Sequence, residues 1–251
     1  MKSKDILDVI ITCSPLPSHP STKHIDRTIE SLSMLNLPVD TKIILAHDGH
    51  GNDSRTEGYL EYLNLISKKY TKDKSFYITV LDKKKHLTGN IRNAFNIVTS
   101  KYVLVIQHDL PFIKDFDIQK IIADLDENPQ IKHLRFNKRK NIEDGCDKVT
   151  KGLDLNLFGN VVNGKNYQYI STPCWSDNNH ICCSKYYRDI LFSECGDNVA
   201  MEVILFPKLI KIYQQNDINK IKNVHDYYGT YIFDMIGSEP YIFHTDGYPK
   251  Y

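Results

Sequence analysis

The segment Lys101–Phe112, KYVLVIQHDLPF, gives the strongest indication of the fold. Its residues 102–106 are apolar, and the polar residues Gln107, His108 and Asp109 follow at once. A short apolar run that ends in polar residues is typical of a strand buried inside a parallel sheet. Because ligands bind beyond the carboxyl ends of such strands, we expect a functional site at residues 107–109.

Asp109 has two interpretations at this position. A carboxylate is a hard oxygen ligand, which suits Mg²⁺ or Mn²⁺ bound to a diphosphate. The alternative is that Asp109 only caps the turn that begins at Leu110 and Pro111. The segment alone does not distinguish the two.

Strands and helices alternate through the first 120 residues. Apolar runs predict strands at 8–13, 42–46, 76–81 and 102–106. Helices are predicted from a cap at Ser21 or Thr22, from a cap at Asp53 or Ser54, and over Asn90–Ser100 after a break at Gly89. This alternation predicts a doubly wound, mostly parallel sheet with right-handed crossovers.

The second half of the chain is less regular. The pattern predicts a helix at 118–125, strands at 132–136, 167–171 and 180–184, and helices at 186–192 and 198–215. Residues 137–166 are polar and show no period, and we assign no element beyond residue 215. No linker-like composition separates the halves, so we predict one domain over 1–251, with a nucleotide-sugar half at 1–120 and an acceptor half at 121–251.

The composition excludes several classes of protein. The 251 residues carry 32 basic and 31 acidic side chains, and the net charge of +1 gives no indication of nucleic-acid binding. Six cysteines form no Cys-x-x-Cys pair, which argues against a zinc site and favours reduced thiols. No run reaches transmembrane length and no signal peptide is recognisable, so we expect a cytoplasmic protein.

Four short motifs follow one another in the first half. They are a strand and loop at 9–15, an acid after the second strand at 43–49, Gly89-Asn90-Ile91-Arg92-Asn93, and the strand that ends in Gln107-His108-Asp109. In this order they resemble the GT-A glycosyltransferases, and among these the family 2-like enzymes. The resemblance covers about residues 7–120 and, more weakly, 165–215. It implies a GT-A-like, Rossmann-like α/β fold whose mostly parallel sheet is flanked by helices.

The resemblance implies roles in binding a nucleotide-diphosphate sugar. Asp48 would bind the base or the ribose. The loop that contains Thr12, Ser14 and Pro15 would line the nucleoside. Arg92 would lie near the diphosphate or support the site.

The resemblance also implies a metal ion, Mn²⁺ or Mg²⁺. Asp109 matches the second acid of the Asp-x-Asp pair and would ligate it, whereas Gln107 replaces the first acid and offers the donor site only a neutral oxygen. In several GT-A enzymes a late histidine completes the metal shell, which makes His244 a candidate. His108 could add a further ligand, and the alternative for both histidines is an ordinary hydrogen-bonded side chain.

Transfer of a sugar to a hydroxyl group requires a base that accepts the proton. In the family this base is an acidic residue at the start of a late helix. The residue that matches this position is Glu202, although the usual Glu-Asp pair is absent. Asp177 is the second candidate, in the polar run Trp175-Ser176-Asp177-Asn178-Asn179-His180. The structural alternatives are a solvated helix residue at 202 and a turn-forming residue at 177.

These observations predict a glycosyltransferase, inverting and dependent on a divalent metal, that uses a nucleotide-diphosphate sugar and a glycan or other hydroxyl acceptor. The alternative is a catalytically inert GT-A-like module that binds sugar or nucleotide, suggested by Gln107 and the missing Glu-Asp pair. A sugar-phosphate nucleotidyltransferase ranks behind both, because residues 14–20 contain no glycine and so cannot form its Gly-rich loop.

Overall fold

A computed structural model describes residues 5–51, 56–141 and 158–245 of the chain. The predicted cap at Asp53 or Ser54 lies outside these ranges. The strands are β1 (Leu7–Cys13), β2 (Lys42–His47), β3 (Phe76–Val80), β4 (Tyr102–Gln107), β5 (His133–Arg135), β6 (Val161–Asn163), β7 (Gln168–Ser171), β8 (His180–Cys183) and β9 (Thr230–Phe233). The helices are α1 (Lys23–Ser31), α2 (Thr56–Tyr70), α3 (His86–Ala94), α4 (Ile118–Glu127), α5 (Ser184–Tyr186), α6 (Phe192–Glu194), α7 (Met201–Tyr213) and α8 (Ile218–Tyr228).

These strands form one sheet in the order β3-β2-β1-β4-β8-β5-β9-β7-β6. The first four strands are parallel to one another. β8 then lies antiparallel between β4 and β5, and β9 is parallel to β5. The predicted α/β fold, with a large mostly parallel sheet flanked by helices, is confirmed. The division into one domain over 1–251 stays a prediction.

Helices cover both faces of the sheet. β1 is buried along its whole length, and its side chains alternate between two hydrophobic clusters, with Ile11 on one face and Ile10 on the other. The first cluster includes residues of α1, α2 and α4, and the second includes residues of α3, α7 and α8. This burial on both faces explains why apolar residues dominate β1 and β4. No helix in the described part of the chain has the length and apolar character needed to span a membrane.

Helix α3 begins four residues before the predicted start at Asn90 and ends well before Ser100. The carboxylate of Asp48 accepts hydrogen bonds from the backbone N–H groups of Lys85 and His86, and this fixes the start of the helix. Gly89 therefore lies inside α3 rather than breaking the chain. A β-carbon at position 89 would lie 2.5 Å from Cβ of Lys85, so the helix leaves space only for glycine there.

The last described part of the chain adds two elements that the sequence analysis did not assign. Asp217 caps α8 by accepting the backbone N–H groups of Asn219 and Lys220, and Gly229 ends the helix at φ +54°. The fully buried strand β9 follows at once and enters the sheet between β5 and β7. The Tyr- and Gly-rich composition of this region thus encodes a helix stop and a core strand.

Candidate active site

A cleft of about 460 Å³ opens at the carboxyl ends of β1, β2 and β4. This is the edge of the sheet at which the polar residues after β4 predicted a site. The predicted residues that line it are Thr12, Ser14, Pro15, Asp48, Gln107, Asp109 and Asp177. The predicted residues that do not line it are Arg92, Glu202 and His244. Residues far apart in the sequence therefore converge on one cavity.

The turn after β4 is held by backbone and side-chain hydrogen bonds from two other segments. Asn179 is fully buried; its Oδ1 accepts the backbone N–H of Gln107 at 3.1 Å, and its Nδ2 donates to the carbonyl oxygen of Leu110 at 2.7 Å. On the other side, the backbone N–H of His108 donates to the carbonyl oxygen of Thr12 at 3.0 Å. The turn is thus fixed in place, and Asp109 with it. Asn179 belongs to the polar run at 175–180, and no local pattern in the sequence indicates this role.

Asp109 meets the C-terminal part of the described chain. Its Oδ2 lies 3.0 Å from Nε2 of His244. The backbone N–H of Thr245 donates to the carbonyl oxygen of Asp109 at 2.9 Å, and the Thr245 hydroxyl pairs with Nδ1 of His24 at 2.8 Å. The structure therefore brings together the two residues that the sequence analysis assigned to the metal, although 134 positions separate them in the chain.

Asp109 and His244 carry donor atoms of the types that bind divalent ions, and in the structure these two atoms contact each other directly at 3.0 Å. This is a hydrogen-bonding distance, and it also matches the roughly 3.0 Å between neighbouring ligands of an octahedral ion at about 2.1 Å. Among the described residues no group of three or more His, Cys, Asp or Glu side chains is arranged to hold a metal. Two protein donors are nevertheless typical of ions whose remaining ligands are water and substrate phosphates.

Gln107 has a structural reason to replace an acid. Its side-chain Nε2 donates to the backbone carbonyl oxygen of Asp177 at 2.8 Å. A carboxylate at position 107 would place negative charge against this carbonyl oxygen and would lose the bond. The amide thus joins the end of β4 to the segment that carries Asp177.

Asp177 and Glu202 hold each other in place through backbone groups. The Asp177 Oδ2 accepts the backbone N–H of Glu202 at 3.0 Å, and Oε2 of Glu202 accepts the backbone N–H of Asp177 at 2.9 Å. The Glu202 oxygen also accepts the hydroxyl of Ser176 at 2.9 Å. The Glu202 carboxylate is thus hydrogen-bonded to Ser176 and to the backbone of Asp177 and does not line the cleft, whereas Asp177 does.

The second oxygen of Asp177, Oδ1, is buried and has no hydrogen-bond partner among the described residues. Burial raises the pKa of Asp177 to about 7, the hydrogen bond from the Glu202 backbone opposes this, and the neighbouring Glu202 charge adds to it. A carboxylate with a pKa near 7, in a residue that lines a cleft, is suited to general base catalysis.

Asp48 and Asn90 shape the floor of the cleft. Besides starting α3, the Asp48 carboxylate accepts the backbone N–H of Gly49 at 2.9 Å, so both of its oxygens are engaged. Asn90 donates from Nδ2 to the carbonyl oxygens of Ala46 at 2.7 Å and Cys13 at 3.3 Å, which ties α3 to the ends of β2 and β1. The predicted contact of Asp48 with a base or ribose stays a prediction.

Arg92 points away from the cleft. Its Nε donates to Oδ1 of Asp197 at 2.8 Å, one terminal nitrogen donates to the carbonyl oxygen of Phe192 at 2.9 Å, and the guanidinium lies over the Phe192 ring. These contacts fasten α3 to the chain before α7. The predicted role of Arg92, near the diphosphate or in support of the site, stays a prediction.

A model of the family described as glycosyl transferase family 2 matches residues 16–191 of the chain, which is more than half of its length. The chain belongs to glycosyl transferase family 2. The resemblance identified from the sequence motifs is thereby confirmed. A search of the curated proteins gave no match.

Solved structures share the fold of this family 2 chain. One is S. aureus TarS 1-349 in complex with UDP-GlcNAc, with a TM-score of 0.55 and 12% sequence identity over 98% of this chain and 60% of that chain. Another structure of S. aureus TarS 1-349 gives a TM-score of 0.51 and 15% identity over 96% of this chain and 60% of that one. At these identities the likeness shows the GT-A fold alone. The chain spans about 60% of the length of these TarS fragments.

The raised pKa of Asp177 makes the stability of the protein dependent on pH. The folded state keeps the Asp177 proton up to about pH 7, whereas the unfolded chain releases it near its ordinary pKa of about 4. Between these values the folded state binds more protons, so the free energy of unfolding should fall as pH rises from 4 to 7. We expect the free energy of unfolding of the wild type, minus that of Asp177→Asn, to fall by up to a few kcal/mol as the pH rises from 4 to 7. Denaturant unfolding at each pH measures both values.

The matched control is Asp189→Asn, at an exposed aspartate in the same part of the chain. The difference between wild type and this variant should not change over the same pH range. If the difference in free energy of unfolding between wild type and Asp177→Asn is also independent of pH, the Asp177 carboxyl is not held protonated by its surroundings.

Proposed function

We propose that this chain transfers a sugar from a nucleotide-diphosphate donor to a hydroxyl group of a glycan or other acceptor, with inversion at the anomeric carbon. The observation that carries the proposal is that two acids, Asp109 and Asp177, line one cleft. Asp109 adjoins His244 at 3.0 Å, and Asp177 lines the same cavity with a buried, unengaged oxygen. Membership of glycosyl transferase family 2 supports this reading.

The donor would bind in the part of the cleft that lies at the carboxyl ends of β1 and β2. The loop of Ser14 and Pro15 and the floor at Asp48 would take the nucleoside, as the resemblance implies. Lys84 also lines the cleft and adds a positive charge for the phosphates. Asp109 and His244 would hold Mn²⁺ or Mg²⁺. When bound, such an ion neutralises the charge that develops on the departing diphosphate.

Asp177 would act as the base in a single displacement. Its carboxylate takes the proton of the acceptor hydroxyl while that oxygen forms a bond to the anomeric carbon. The bond from this carbon to the diphosphate oxygen breaks, and the diphosphate leaves with the electron pair. One displacement with one base inverts the anomeric configuration. Glu202 positions Asp177 through the reciprocal backbone hydrogen bonds and does not itself line the cleft.

Donor binding should be visible as thermal stabilisation. UDP-, GDP-, CMP- and dTDP-sugars with and without Mn²⁺ form the screen, and UDP-GlcNAc comes first because a TarS fragment was solved with it. A ligand at 100 times its Kd stabilises the native state by about 2.7 kcal/mol, so Tm should rise by several degrees with one donor and Mn²⁺. Asp109→Ala should lose this rise.

The control for this screen is Asp115→Ala, which removes an exposed aspartate in the same loop and should keep the rise in Tm. A rise that needs neither Mn²⁺ nor Asp109 would contradict the metal site and favour the inert binding module. No rise with any nucleotide would refute the proposed donor.

Two substitutions distinguish the candidate bases. Asp177→Asn should lower the rate at which nucleoside diphosphate is released from the donor by about 10²–10⁴, because the amide cannot accept a proton. Glu202→Gln should lower it by less than about tenfold, because the amide oxygen can still accept the bonds of Ser176 and Asp177. The wild-type rate should rise with pH through about 7, as Asp177 ionises.

Donor-induced stabilisation serves as the folding control for both variants and should persist in each. A loss of rate in Glu202→Gln that equals or exceeds that in Asp177→Asn would assign the base to Glu202. A rate that neither substitution changes would favour the inert module.

A further inference from the structure

One edge of the sheet is an open strand of apolar character. Strand β3 stands first in the strand order and, among the described strands, pairs only with β2. Its sequence, FYITV, contains no proline and no charged residue, two features that usually protect a sheet edge from other chains. Tyr77 is 38% exposed and Val80 is 47% exposed. Strand β3 is therefore a place where another strand can join the sheet.

The backbone of β3 has hydrogen-bonding groups on its outer side. The carbonyl oxygen of Ser75 accepts the backbone N–H of Ile43, in β2, at 2.8 Å. Because the groups of successive residues point to opposite sides of a strand, Phe76, Ile78 and Val80 direct their N–H and C=O groups away from β2. The Phe76 N–H bonds within the preceding turn, but the outward groups of Ile78 and Val80 have no partner within the ranges that the structure describes. A partner strand would satisfy these groups without disturbing β2.

A second copy of β3 fits this edge in an antiparallel orientation. When the Ile78 residues of the two copies lie opposite each other, every outward-facing residue of one strand lies opposite an outward-facing residue of the other. Phe76 then faces Val80 of the second copy, and Tyr77 faces its Thr79. Each of these cross-strand pairs joins an aromatic to a β-branched side chain, a combination that stabilises antiparallel sheets. Strand β3 is thus complementary to itself.

The charges next to β3 match the same register. It places Lys74 opposite Asp82 of the second copy and Asp73 opposite its Lys83, and the two-fold axis repeats both pairs. All four side chains are exposed. Lys74 and Asp82 form no ion pair with other described residues, so both charges are available to a partner. Opposite charges would therefore face each other on both sides of the paired strands.

The backbone groups, the side chains and the charges of this edge all fit one partner. We propose that β3 is an interface at which a second copy of this chain pairs antiparallel, so that one sheet continues across a two-fold axis. The arrangement closes after two copies, because each edge satisfies the other. A pair of 5-residue strands is small beside the roughly 1,200–2,000 Å² that stable interfaces bury, so the dimer should dissociate on dilution. The proposal does not depend on the proposed transferase function.

Sedimentation velocity over a series of protein concentrations measures this association, and the wild type should pass reversibly from monomer to dimer. K74D and D82K each place like charges opposite one another at both symmetric contacts. Each variant should raise the Kd of the dimer about tenfold or more, because each contact changes from attraction to repulsion. The double variant K74D/D82K and an equimolar mixture of the two single variants restore opposite charges. Both should associate with a Kd within about threefold of that of the wild type.

The matched control for charge is K165D, because Lys165 is exposed and lies between β6 and β7 at the other end of the sheet. It makes the same change of charge as K74D and should alter the Kd less than about twofold. V80P removes the outward N–H of Val80 and should raise the Kd about tenfold or more. V80T keeps this N–H and should leave the Kd unchanged. The Tm of each variant, measured where it is monomeric, shows whether it folds like the wild type.

Several results would overturn the proposal. One is a wild-type chain that stays monomeric at every concentration. Another is a dimer whose Kd does not change in K74D, D82K or V80P. Losses in the single variants that neither the double variant nor the mixture restores would contradict the register, and a loss in K165D as large as in K74D would place the contact elsewhere on the surface.

Discussion

The site depends on one buried junction between segments that lie 70 residues apart in the chain. The Asn179 side chain bonds the backbone on both sides of the turn after β4, and the Gln107 amide bonds the backbone of Asp177. Asn179 is fully buried and Gln107 partly buried, and a buried hydrogen-bonding group left unsatisfied costs about 1–3 kcal/mol, so the geometry is strongly preferred. The antiparallel entry of β8 beside β4 makes the junction possible, because it brings the chain before β8 to the carboxyl end of β4. Asp109 and Asp177 share a cleft as a consequence.

Much of the first half could be predicted because its strands are buried on both faces. Such strands leave continuous apolar runs in the sequence, and the polar residues that follow mark the carboxyl edge of the sheet. The boundaries of β1, β2 and β4 were therefore close to those observed, and Thr12, Asp48 and Asp109 do line the cleft. The start of α3 was misplaced because the side chain that fixes it, Asp48, belongs to another segment.

The rest of the site depends on contacts between distant parts of the chain that leave little trace in a single sequence. Glu202 and Asp177 were equal candidates, since nothing in the local pattern tells which of the two lines the cleft. Gln107 was read as a departure from an acidic motif, but it replaces a charge that would face a carbonyl oxygen. Strand β9 was missed although β7 and β8 are equally short, because all four of its residues are buried and they show no alternation of polar and apolar side chains.

The central claim is that a nucleotide sugar and a divalent ion meet at the end of β4. A crystal structure with UDP-GlcNAc and Mn²⁺, recorded for the anomalous signal of manganese, tests this most directly. We predict one manganese peak within about 2.5 Å of both Asp109 Oδ2 and His244 Nε2, with the diphosphate against it and the sugar on the side of Asp177. A donor bound in the cleft with no manganese at Asp109, or with the sugar turned away from Asp177, would contradict the account.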